Sequence, residues 1–95
     1  MTYQQLEQTM TVKEKKINKL LNFMKVNEDG YWDPKSVWNK YLYKFIKRWF
    51  HVDPMDLVVS WIAKLDDGCL YVVGENYTVN SASEEARVLK EAFNQ

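Results

Sequence analysis

Apolar residues recur at steps of three and four along most of the chain and alternate with polar ones over one short stretch. Leu6, Met10, Ile17, Leu20 and Met24 follow the helical step and predict a helix over 4–25, with Lys13 interrupting it. Thr2 with Gln5, and Thr11 with Glu14, each match a capping box. The second leaves open a helix that starts near Val12 behind a short extended arm. Residues 26–33 read as a loop turning at Gly30.

Asp33-Pro34 is expected to open the next helix, because Asp can cap an orphan amide and Pro suits the first helical position. Two apolar rows follow, Val37, Tyr41, Phe45, Trp49 and Trp38, Leu42, Ile46, Phe50. Lying side by side, they predict one buried face that ends at Phe50 or His51, with Trp38, Leu42, Phe45 and Trp49 mainly in the core. Asp53-Pro54 repeats the device and predicts a third helix to about Leu65, buried along Leu57, Val58, Trp61, Ile62 and Leu65. Asp66-Asp67-Gly68 stops it.

Cys69–Val73 and Asn76–Val79 then read as a hairpin turning at Gly74-Glu75. That register pairs Val72 with Tyr77 and Leu70 with Val79. Ser81 with Glu84 matches a capping box and predicts a last helix through Phe93, with Ala82, Ala86, Leu89 and Phe93 inward. The expected fold class is α+β, mainly α: three helices, a β-hairpin and a C-terminal helix. With 95 residues, 46% of them hydrophobic, residues 1–95 are expected to form a single small globular domain.

The element order has the outline of a winged helix, but the chemistry departs from it. In that outline the helix PMDLVVSWIAKL reads bases, yet it carries one cation, Lys64, and begins beside Asp53 and Asp56. The hairpin LYVVGENYTV has no Lys or Arg. The positive charge lies one helix earlier. Residues 35–52 hold Lys35, Lys40, Lys44, Lys47 and Arg48 and no acid, whereas residues 53–95 hold eight acids and three bases. Formal net charge is zero, so the whole surface is not an electrostatic trap for nucleic acid.

Lys40, Lys44, Lys47 and His51 form a stripe at helical spacing, with Tyr43 beside it. This predicts that cations and aromatics, interleaved in sequence, segregate in space. Tyr31 and Trp32 fall outside any periodic face, and Trp32 is expected as an exposed aromatic anchor.

One His, one Cys and three isolated Gly give no metal-ligand spacing, no phosphate-cradling loop and no nucleophile–base pair, so an enzyme is not expected and no cofactor is implied. A lone Cys69 excludes an intrachain disulfide and suits a reducing compartment. With no signal-peptide pattern and no apolar run of spanning length, a cytoplasmic location and no membrane are expected. The expected function is a non-enzymatic protein-interaction module, in the style of a phage or mobile-element accessory or inhibitor protein. Its partner-binding residues are Tyr31, Trp32, Lys40, Tyr43, Lys44, Lys47 and Arg48. The basic helix and the acidic C-terminal segment could also meet between subunits in a homodimer. The alternative is a nucleic-acid binder, backbone-only or single-strand, using Lys40, Tyr43, Lys44, Lys47 and Arg48.

Overall fold

The structure, a computed structural model, describes residues 1–73 and 78–95, with the backbone alone at 72, 73 and 78. It is mainly helical with one antiparallel hairpin, the α+β class expected. The elements are α1 (Tyr3–Thr9), α2 (Val12–Leu21), α3 (Val37–Phe50), α4 (Pro54–Lys64), β1 (Cys69–Val73), β2 (Thr78–Ala82) and α5 (Ser83–Phe93).

The expected helix over 4–25 is two helices. The Thr2 hydroxyl accepts from the Gln5 amide at 3.3 Å, and the Gln5 side chain accepts from the Thr2 amide at 2.9 Å. That capping box makes residues 3–9 helical rather than an extended arm. Met10 and Thr11 are then extended, and the Thr11 hydroxyl accepts from the Glu14 amide at 3.1 Å to begin α2. The break explains Lys13. It sits after a change of direction, so Leu6, Met10, Ile17, Leu21 and Met24 reach one core from two helices.

α3 begins at Val37, not at Pro34. The Asp33 carboxylate accepts from the Lys35 amide at 2.9 Å, which closes a turn ahead of the helix. Ser36 is the cap, and its hydroxyl accepts from the Asn39 amide at 3.3 Å. At the other end His51 takes the left-handed conformation, φ 54°, and three residues later α4 is under way. The Asp53 carboxylate caps α4 by accepting from the Met55 amide at 2.9 Å. Gly68, at φ 67°, turns the chain from α4 into β1.

The hairpin exists in a register displaced by two residues. Leu70 faces Ser81 and Val72 faces Val79, where Leu70–Val79 was expected. A two-residue displacement preserves the faces, so Leu70 and Val79 are still buried. The Gly74-Glu75 turn and the Tyr77 pairing lie outside the described residues. Because β2 runs to Ala82, Ser81 is a buried strand residue and cannot cap α5. Ala82 occupies the cap position without a side-chain bond. Glu84 and Glu85 in the first turn compensate the exposed amides there electrostatically.

α4 is the central element and packs most extensively on α5, with the hairpin and α3 also against it. Pro54, Met55, Val58, Trp61 and Ile62 of α4 are buried. The Trp61 indole N–H donates to the Glu14 carboxylate at 3.1 Å, so a fully buried ring keeps its one polar atom satisfied and ties α4 to α2. Lys90 of α5 pairs with Asp56 of α4 at 2.6 Å.

Candidate functional site

The face that α3 turns inward is set by a polar residue. Asn39 is fully buried. Its carboxamide oxygen accepts from the Lys25 amide at 2.7 Å, and its amide donates to the carbonyls of Lys25 and Asp33, each at 2.8 Å. These bonds satisfy the loop that crosses under α3, which would otherwise bury unpaired backbone groups. With Asn39 pointing inward, the residues one turn and two turns on, Leu42, Tyr43 and Ile46, follow it into the core.

The aromatic row expected in the core therefore faces outward, which corrects the sequence reading at its centre. Trp38 is 44% exposed, Tyr41 62% and Trp49 68%, while Phe45 is half-buried. Trp38 and Tyr41 stack at 6.1 Å between centroids, and Phe45 and Trp49 lie 5.8 Å apart. The Trp38 indole N–H donates to the Phe23 carbonyl at 2.8 Å, so one edge of the row is tied to the end of α2. Tyr41, Lys44, Phe45, Arg48 and Trp49 line a groove of about 430 Å³ on the outer face of α3. Cations and aromatics do not segregate; they share one surface.

The other expected binding residues are divided by the same geometry. Lys40, Lys44 and Arg48 are exposed. Lys47 is exposed too, but its ammonium donates to the Asn94 side chain at 2.8 Å and lies 5.5 Å from the centre of the Tyr43 ring. It fastens α3 to the end of α5. Tyr43, expected beside the basic stripe, is buried and stacks on Phe93 at 4.9 Å. Burial, reinforced by the neighbouring Asp53 carboxylate, pushes the Tyr43 phenol far above its ordinary range. It is a neutral core tyrosine, not a stacking platform.

Trp32 is fully buried, not an exposed anchor. Residues 25–33 fold back on themselves through a Val26–Trp32 bridge, with Asn27 donating to the Tyr31 carbonyl at 2.7 Å and Asp33 to the Lys25 carbonyl at 3.0 Å. Successive residues of such a ladder point to opposite sides, so Trp32 turns in while Tyr31 stays half-exposed. The Asn80 amide donates to the Gly30 carbonyl at 3.0 Å and holds this loop against β2. Tyr31, Trp32 and Pro34 then form one wall of a cleft of about 270 Å³, opposite Glu84, Glu85 and Val88 of α5.

Trp38, Tyr41 and Trp49 are the residues that sequence reasoning misplaced, whereas Phe45 packs against the core as expected. Nine of the fourteen residues of α3 are apolar, so its pattern is apolar almost all round and admits more than one buried face. The available signal was Asn39, three residues after the capping Ser36. A polar residue that closes a loop's backbone bonds decides the orientation where apolar spacing does not.

Among the described residues no cluster of His, Cys, Asp or Glu is assembled that could hold a metal ion, and no helix is long and apolar enough to cross a membrane. The helix in the base-reading position of a winged helix, α4, buries its apolar stripe against the rest of the fold. It presents Asp56, Ser60, Ala63 and Lys64 outward. Comparisons with protein families, with curated proteins and with solved structures find no match to this chain.

Proposed function

We propose that the chain is a non-enzymatic protein-interaction module that docks its partner on the outer face of α3. The observation that supports this most is the exposure of Trp38, Tyr41 and Trp49 beside Arg48 on one helix. Trp, Tyr and Arg are the residue types that carry most interface energy. Exposed aromatics on a folded domain that already has a filled core are surface held ready for a partner. Lys44 and Arg48 select a partner surface that offers carboxylates around an apolar centre. Binding without chemistry is how an accessory or inhibitor protein acts.

Capture from a lysate of the source cells, with the wild type and a Tyr41→Ser, Trp49→Ser double variant as paired baits, tests this reading. A protein retained by the wild type after nuclease treatment and lost with the variant is the expected result. Identical capture by both baits rules the α3 face out.

One observation favours a second reading. Aromatic rings and two cations on one face also suit unpaired bases and their phosphates. A mobility-shift assay with single-stranded DNA and RNA at two salt concentrations separates the readings. Retardation that falls steeply with salt and disappears in Lys44→Glu, Arg48→Glu assigns the face to nucleic acid.

A further inference from the structure

We infer that the partner of the α3 face is a second copy of this chain, whose cleft between the 27–34 loop and α5 receives Lys44 and Arg48. This inference rests on the reading of the α3 face as a docking surface and adds the occupant.

The two surfaces match in chemistry. The α3 groove has aromatic walls and carries Lys44 and Arg48. The cleft has an apolar lining that includes Tyr31, Pro34 and Val88, and it carries Glu84 and Glu85. Among the described residues none of these four charges has an ion-pair partner within the chain. Val88 is 60% exposed, so the cleft also leaves apolar surface uncovered.

The two surfaces lie at different ends of α3. Tyr43 and Lys47 meet Phe93 and Asn94, at the far end of α5. Pro34, just before α3, shares the cleft with Glu84 and Glu85 at the start of α5. The two helices therefore run in the same sense. The cleft lies at the beginning of α3, and the cationic groove occupies its later turns. In the proposed pair each copy's groove covers the other's cleft, which closes the contact as a dimer with two equivalent halves. A stable pair needs about 800 Å² from each partner, about an eighth of the 6139 Å² surface of one chain.

Sedimentation equilibrium of the full chain tests the occupant, from about 1 to 200 μM at low salt. Dimers that dissociate on raising the salt are expected. A wild type that stays monomeric over that range overturns the proposal, while the paired-bait capture still decides the α3 face on its own. Charge reversal then tests the geometry. The Lys44→Glu, Arg48→Glu variant makes both surfaces acidic, and Glu84→Arg, Glu85→Arg makes both basic. Each variant alone should dimerise at least about tenfold more weakly. Their equimolar mixture should pair again, because both halves of the contact regain opposite charge. A mixture no more dimeric than its components, with circular dichroism showing both folded, overturns the proposal. Should the arginine variant fail to fold, Glu84→Gln, Glu85→Gln replaces it. Dimerisation unchanged in that variant contradicts the assigned cleft.

Discussion

α3 and α4 are consecutive helices of similar length, joined by three residues, and both are rich in large apolar side chains. α4 buries its stripe as its spacing demands, with Val58, Trp61 and Ile62 in the core and Ser60 and Lys64 outside. α3 buries Asn39 and Tyr43 while leaving Trp38, Tyr41 and Trp49 in water. The difference lies in what each helix must satisfy. α4 has one apolar stripe and packs it. α3 is apolar nearly all round, so burial alone leaves its rotation undecided, and the backbone bonds made by Asn39 settle it. The aromatics left over are then surface.

Truncation of two tryptophans makes this contrast measurable. Trp61→Ala empties a filled site and should cost about 3–5 kcal/mol in urea unfolding. Trp49→Ala removes an exposed ring and should cost no more than about 0.5 kcal/mol. Equal costs would erase the distinction between the helices. Asn39→Leu comes next. It leaves the Lys25 amide without a partner and takes one of two bonds from each of the Lys25 and Asp33 carbonyls, and a loss of about 2–4 kcal/mol is expected, read as a lower urea midpoint. A neutral Asn39→Leu would remove the stated reason for the orientation of α3.

Tyr43 gives a pH signature. Its phenol is harder to ionise folded than unfolded, so below pH 10, the ordinary tyrosine value, both states are protonated and stability is unaffected. Above it the unfolded chain loses the proton first, and stability falls as pH rises. Urea midpoints at pH 8 and pH 11 should diverge for the wild type, and Tyr43→Phe should reduce that divergence. Tyr3, raised by burial in the same direction, supplies part of what remains. A small gain, rather than a loss, belongs to the joint between the helices. His51→Gly relieves a left-handed conformation that a side chain resists and should raise stability by about 0.5–1 kcal/mol.

Much of the fold was legible because local rules carried it. Asp53-Pro54 opened α4, Gly68 ended its loop, and Ala86, Leu89 and Phe93 gave the inner side of α5. The errors came where two local rules competed. Asp33-Pro34 read as a cap, but the Asp side chain was taken up by a turn and Ser36 caps the helix instead. Ser81-Glu84 matched a box, yet strand pairing through Ala82 claimed Ser81 first. Trp32 had no periodic neighbours, and only the Val26 bridge shows which way it turns. In the candidate site, Lys44 and Arg48 were legible as exposed cations. Their aromatic neighbours were not, because the bonds that rotate α3 join residues fourteen positions apart.

Hydroxyl-radical footprinting of the wild type, read by mass spectrometry at single tryptophans, tests the central claim most directly. Trp49 and Trp38 should oxidise rapidly, while Trp32 and Trp61 stay protected until the chain unfolds. Protection of Trp49 and Trp38 in the monomer, at the level of Trp61, would contradict the account.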